Sequence, residues 1–155
     1  AIARCGNVYG GGDLNWSRLI PGTIRSVLKD EAPIIRSDGK FIRDYFYVRD
    51  AVEAYLILAE RLSGEKQDEK FNGEAFNFST ETPVSVLDLV DQILKLTGKT
   101  HLVPKVMNEA SREIHKQYLS CEKAKRMLNW QSKFSLDDGL GETIDWYRQR
   151  LNPER

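Results

Sequence analysis

The chain has 155 residues, 41% of them apolar, which is about one domain with an ordinary core. Its 23 Lys and Arg balance 23 Asp and Glu, so the formal net charge is zero. Nothing global would gather nucleic acid or an anionic membrane, and neither is an expected partner, although a local basic pocket is compatible with this balance.

Ile2-Ala3 reads as the tail of a buried strand, opening through Gly6 and Gly10-Gly11-Gly12-Asp13 into a glycine-rich turn that lets the backbone come close to a ligand. A helix is predicted from about Leu19, where Pro21 suits the first turn and Leu19, Ile20, Ile24, Val27 and Leu28 share a face. Pro33-Ile34-Ile35 is a short strand and Ser37-Asp38-Gly39-Lys40 a turn. Tyr45-Phe46-Tyr47-Val48 is strand-like, and Asp50 with Glu53 predicts a capping box for a helix through Ala54, Leu56, Leu58 and Ala59 that ends at Ser63-Gly64.

The charged run Glu65 to Lys70 reads as exposed connection, and Ala75 to Ser79 alternates like a strand. Ser85 and Asp88 predict the start of a helix, Val86, Leu87, Leu89, Val90, Ile93 and Leu94 its buried stripe, and Gly98 its end. His101 to Val106 should be an edge strand, because Pro104 cannot donate to a ladder. Two more helices are predicted near Cys121 to Leu128 and Leu136 to Leu151. This order indicates an α/β protein. Cys5 and Cys121 lie far apart without metal-site spacing, and no run has the length of a membrane span or signal peptide. They read as reduced thiols of a cytoplasmic protein.

Two segments carry the functional signal, Arg4-Cys5-Gly6-Asn7-Val8-Tyr9-Gly10 and Arg43-Asp44-Tyr45-Phe46-Tyr47-Val48-Arg49-Asp50. Asn7 both donates and accepts, which suits a sugar hydroxyl or phosphate oxygen; the competing reading is a turn residue in a left-handed conformation. Arg43, between a glycine turn and an aromatic strand, offers a planar fork for bidentate phosphate contact, against the alternative of a salt bridge to Asp44 or Asp50. Arg4 is as readily a surface or ion-paired arginine as a ligand. Asn77, between two phenylalanines, needs a partner, either a ligand or a loop carbonyl.

Catalytic apparatus is incomplete. Tyr47 has Ala51 four residues on, where a Tyr-Lys acid/base pair would need lysine, and neither a dinucleotide glycine fingerprint nor a P-loop occurs. Gly10-Gly11-Gly12 is followed by Asp13, which would repel phosphate. His101 and His115 lack partners at ligand spacing, so no metal is assigned.

Arg4-x-x-Asn7-x-Tyr9-Gly10, Arg43 to Val48 with Asp50, Phe76-Asn77-Phe78-Ser79, and Lys123-Ala124 with Leu128, Trp130 and the segment Leu140 to Tyr147 together resemble the carboxy-terminal half of the extended short-chain dehydrogenase/reductase family, the NAD-dependent sugar-nucleotide epimerases and dehydratases. Gly10 to Asp13, Arg18 to Pro21 and Glu113 to Leu119 are most similar to the branch that dehydrates CDP-glucose. The resemblance implies that Asn7 meets the diphosphate or sugar, Arg43 the diphosphate and Asn77 the nucleotide, that Arg18 and Leu19 line the nucleotide pocket with Arg112 nearby, and that Val8 approaches the nicotinamide of NAD. Asn129 stands where relatives often have glycine before Trp130, a departure that touches helix termination.

The implied reaction is oxidation of the hexose at C4 by bound NAD, loss of water across C5 and C6, and hydride return to C6. An NAD-dependent 4-epimerase and a noncatalytic nucleotide-sugar-binding module are the alternatives. The implied fold is the substrate-binding part of a Rossmann-type protein over residues 1–155, in which strands near 1–5 and 75–79 complete a sheet whose dinucleotide-binding part is missing. Because the chain opens on Ala1 without Met and runs into a turn, it reads as a portion of a longer protein, inactive alone. Its unpaired strand edges would invite self-association.

Overall fold

The computed structural model describes residues 1–63, 69–109 and 114–151. Strand β1 (Ile2–Cys5) lies parallel to β5 (Ala75–Phe78), with Ile2 opposite Ala75 and Cys5 opposite Phe78. Gly6 then turns the chain, its N–H still donating to the Phe78 carbonyl at 2.9 Å, and the chain enters a second sheet. That sheet is centred on β4 (Ile42–Tyr47): β2 (Asn7–Tyr9) runs parallel to Tyr45–Tyr47, β6 (Pro83–Ser85) antiparallel to Ile42–Asp44, and β8 (Lys116–Gln117) parallel beside Ile42 and Arg43. A third pair joins β3 (Ile34–Ile35) to β7 (Lys105–Val106).

Helices α1 (Leu19–Leu28), α2 (Val48–Ser63), α3 (Val86–Thr97), α4 (Glu122–Leu128) and α5 (Leu136–Leu151) complete the α/β arrangement. α3 starts as its sequence predicts, with Ser85 Oγ accepting from the Asp88 N–H at 3.1 Å, and stops at left-handed Gly98, φ 69°. Asn129 does the same for α4 at φ 53°, so the asparagine takes the backbone conformation a glycine would.

Alternation along β4 divides the core. Phe46 faces one cluster with Phe76 and Phe78 of β5, Ala54 of α2 and Trp130. Tyr45 and Tyr47 face another with Ile24, Ile93 and Ile144 from α1, α3 and α5. A third, around Ile35, Phe41 and Val90, closes the space beneath β3. A strand six residues long with both faces buried is thereby held in a single register.

Several expectations are corrected. Ile2 is 52% exposed, because the only strand beside β1 among the described residues is β5. Asn7–Tyr9 is a strand and not part of the turn. Asp50 does not cap α2, since β4 runs straight into that helix at Val48. It is fully buried, and its carboxylate accepts from the Lys133 and Phe134 N–H groups at 3.0 and 3.3 Å. Leu87 lies off the buried stripe of α3, covering Gly39 from the solvent side. The strand expected from His101 shrinks to Lys105–Val106, since a turn closed by the Leu102 N–H on the Lys99 carbonyl uses the preceding residues. Most of the charged run after Ser63 falls outside the described residues.

Candidate functional site

A cleft of about 850 Å³ lies between β2, the loop after it, the start of α1, the end of β3 and the first half of β4. The loop owes its path to glycine. Gly12 has φ +92°, and a Cβ on Gly11 would stand 2.5 Å from Trp146 Cγ. The chain then turns twice on its own side chains: Asn15 N–H donates to Asp13 Oδ1 at 3.0 Å and Ser17 N–H to Asn15 Oδ1 at 3.1 Å. Asp13 Oδ2 pairs with Arg18 Nη1 at 3.1 Å, so its charge is spent within the loop and does not oppose an anion as its position in sequence implied.

Asn7, Val8, Arg18, Leu19 and Arg43, separated in sequence, all line this cleft. Asn7 sits on β2 opposite Tyr45 and is absent from the left-handed residues, so it is not a turn asparagine. Arg43 is braced: Nη1 donates to the Ile42 carbonyl at 2.9 Å and the His115 carbonyl at 3.4 Å, and the guanidinium lies 5.5 Å from the Phe41 ring centre. The His115 ring meets Phe41 edge-on at 4.9 Å. Asp44 accepts from the Ser79 hydroxyl and the Leu119 N–H, while Asp50 serves the loop before α5.

Asn77 is not in the cleft wall. Its Nδ2 donates to the Ser120 carbonyl at 3.3 Å, as the loop-carbonyl reading has it. Arg112 lies outside the described residues. Tyr45, expected from sequence only as part of a strand, lines both this cleft and a neighbouring cavity of about 320 Å³. Its signal was the strand period, which puts residues 43 and 45 on one face. Burial pushes the Tyr45 phenol up to about 12, against the opposing pull of Arg43, so it is a neutral hydroxyl at ordinary pH. Arg36 and Thr23 also line the cleft, and only the folding of β3 and α1 toward β4 brings them there.

The other tyrosines of the two segments are structural. Tyr47 donates to Glu142 Oε2 at 2.6 Å, Arg49 pairs with the same carboxylate at 2.9 Å, and burial raises the Tyr47 phenol to about 12. Tyr9 packs against Tyr47 with ring centres 5.5 Å apart, and its hydroxyl reaches the Leu136 carbonyl. Asp13 is the one carboxylate of the cleft wall among the described residues, and it is paired. Among the described residues the cleft wall thus combines guanidinium groups, apolar surface and neutral hydroxyls. No described helix is long and apolar enough to cross a membrane.

Residues 1–73 match the sequence profile of the NAD dependent epimerase/dehydratase family. A UDP-N-acetyl-alpha-D-glucosaminuronate decarboxylase of Bacillus cytotoxicus is 34% identical, aligned over 97% of this chain and 47% of its own length. The CDP-glucose 4,6-dehydratase of Salmonella typhimurium is 32% identical over 99% of this chain and 42% of its own. The crystal structure of a UDP-glucose 4-epimerase with UDP-glucose from Thermotoga maritima superposes with a TM-score of 0.83 at 30% identity, covering 97% of this chain and 46% of the epimerase. The chain thus spans a little under half the length of these relatives. With the family's signature in its first half and the family's fold along nearly all of its length, it belongs to the NAD dependent epimerase/dehydratase family.

Proposed function

We propose that the cleft binds the nucleoside diphosphate of a nucleotide sugar, and that residues 1–155 are the substrate-binding portion of an NAD-dependent sugar-nucleotide 4,6-dehydratase acting on CDP-glucose. The observation that carries this is the braced guanidinium of Arg43 in one cleft with Asn7. A fork already held by two carbonyls and an aromatic face loses little freedom on meeting a phosphate, and such pre-organisation raises affinity. A cleft of about 850 Å³ is within the size range of small-molecule sites. Leu19 supplies apolar wall toward the base, Arg18 stands at its rim, and Asn7 and Tyr45 present neutral polar groups toward the sugar. The CDP-glucose assignment draws on the Gly10 to Pro21 segment and on the Salmonella relative. A 4-epimerase is the second reading, favoured by the fit to the Thermotoga enzyme.

NAD, when bound, supplies the hydride acceptor. This chain has no glycine fingerprint to seat its pyrophosphate, so its own contribution is one wall at Val8, which is 43% exposed on β2 at the cleft. The dinucleotide-binding sheet would be completed by β1 and β5, with exposed Ile2, Val52 and Leu56 against the remainder of that sheet or, in its absence, against a second copy. Two unpaired cysteines accord with a cytoplasmic location. The chain alone should bind and not turn over, because positioning supplies only part of the barrier reduction.

Titration calorimetry with CDP-glucose, dTDP-glucose and UDP-glucose tests the site. Preferential binding of CDP-glucose, lost in Arg43→Ala, is the expected result; equal affinity for all three removes the CDP assignment, and no binding to any removes the cleft as a self-sufficient site. NMR of the product formed by the protein that contains this chain, given CDP-glucose and NAD, separates a 4-keto-6-deoxy sugar from the C4 epimer.

A further inference from the structure

The loop after β2 forms one wall of the cleft, which Asp13, Trp16 and Ser17 line. Its internal hydrogen bonds join near neighbours: Asn15 N–H to the Asp13 carboxylate, Ser17 N–H to the Asn15 side chain, and Arg18 N–H to the Asn15 carbonyl at 3.0 Å. Bonds of that span give the loop a shape without giving it a place against the rest of the cleft. Its place comes from α5 and α1. Tyr147 of α5, fully buried, donates from its phenol to the Asp13 carbonyl, and its ring centre lies 5.7 Å from that of Trp16. The Arg25 guanidinium of α1 stands 4.9 Å from the Trp16 ring centre, and the Trp16 carbonyl passes so close to that helix that a Cβ on Gly22 would be 2.6 Å from it. Burial, and then Asp13, push the Tyr147 phenol up to about 12, so it remains a donor at ordinary pH. Tyr147 itself does not line the cleft.

We infer that Tyr147 is a positioning residue of the cleft: through the Asp13 carbonyl it holds the loop wall in place, so that α5 sets the affinity for the nucleotide sugar from behind the wall. This rests on the nucleotide-sugar reading of the cleft and deepens it. A wall already in place costs nothing to order when the ligand arrives, whereas a wall that must be ordered subtracts that cost from the affinity. One neutral hydrogen bond is worth about two- to tenfold in such an equilibrium. The ring and the hydroxyl of Tyr147 divide the work: the ring packs in the core with Ile24, Ile93 and Ile144, and the hydroxyl alone reaches the loop backbone. Removing the hydroxyl therefore separates positioning from packing.

The experiment is calorimetry on the full chain with whichever of CDP-glucose, UDP-glucose and dTDP-glucose binds most tightly, for wild type, Tyr147→Phe, Arg43→Ala and Trp130→Phe. Trp130, in the other core cluster and away from the cleft, is the control for a general loss of stability. Backbone 15N relaxation of Gly11 to Ser17 in the unliganded chain supplies a second readout. Tyr147→Phe should weaken binding about fivefold and lower the order of those amides, with a melting temperature no lower than that of Trp130→Phe, which should bind as wild type does. Tyr147→Phe equal to wild type in affinity, with Arg43→Ala weakened, overturns the role of Tyr147 and leaves the cleft reading intact. Equal weakening in both phenylalanine variants, or weakening with the loop as ordered as before, also overturns it. A wild-type chain that binds no nucleotide sugar overturns both.

Discussion

Asp44, next to Arg43, is 2% exposed and holds two otherwise separate segments, accepting from the Ser79 hydroxyl at the end of β5 and from the Leu119 N–H at 3.0 Å. Asp44→Ala strands both donors. A hydrogen bond to a charged group is worth about 1.5–3 kcal/mol. Ser79 keeps some compensation, because its Oγ also accepts from the Glu81 N–H and its hydroxyl can rotate, so its share falls at the low end of that range. The sum for Asp44→Ala is about 3–4 kcal/mol. Asp44→Asn retains an acceptor of the same shape and exchanges charge-assisted bonds for neutral ones of roughly half the strength, about 1–2 kcal/mol. With a urea m-value of about 2 kcal/mol/M for a domain of this size, the midpoint should drop by about 1.5–2 M for alanine and by less than about 1 M for asparagine. Leu119 also ends the segment that begins at His115, whose carbonyl braces Arg43, so alanine should weaken nucleotide binding more than asparagine does. An alanine variant within about 0.5 kcal/mol of wild type would refute the reasoning, since it would mean that the buried donors find water or other partners without cost.

Two glycines of α5 should respond in opposite directions. A Cβ on Gly139 would lie 2.3 Å from the Tyr9 hydroxyl and 2.9 Å from Tyr47 Cγ, so Gly139→Ala should lose about 1–2 kcal/mol by overpacking, while Gly141, with nothing within 4 Å, should gain up to about 1 kcal/mol as alanine; paired thermal melts check both. Trp130, packed edge-on against Phe46 and Phe78, leaves its buried Nε1–H without a partner among the described residues, so Trp130→Phe should cost about 1 kcal/mol where Trp130→Ala costs about 3–5, measured by denaturant titration. Glu81 is held below its ordinary value of 4.5 first by the hydrogen bond from Lys125 and then by the Cys121 N–H, and Glu142 likewise by Tyr47 and then Arg49. Their folded-state values are depressed, so the stability they contribute is present above about pH 4.5 and is lost as pH falls through the folded values. Glu81→Gln should flatten the acid limb of the stability curve, and an unchanged limb counts against the Lys125 and Cys121 contacts.

Local chemistry was enough to read much of this protein. The hydroxyl of Ser85 and the left-handed glycine at 98 bound α3 whatever surrounds it, because a cap satisfies its own chain's orphan groups. The 3.6-residue stripe of α1 and the alternation of Ala75–Phe78 need only the presence of a core. Arg43 and Asn7 stood out in sequence as candidates for an anionic, hydroxylated ligand, since few neutral and cationic side chains suit one, and the fold brings both to one cleft.

What sequence did not decide was which partner each polar side chain finds in the folded chain. Asp50 has the look of a cap, yet β4 passes into α2 without a break and the carboxylate turns instead to Lys133 and Phe134. Asp13, seemingly hostile to phosphate, is neutralised by Arg18 across a turn made by its own loop. Asn77 left two partners open, and only the approach of the segment before α4 brought the Ser120 carbonyl to it. Arg36 lay outside every motif and Tyr45 was expected only as part of a strand; they became cleft residues because β3 and β4 converge there. Backbone propensity and side-chain period act over one turn or one strand, whereas the partner of a buried charge and the walls of a cavity are set by contacts between segments tens of residues apart, which exist only once the chain has folded.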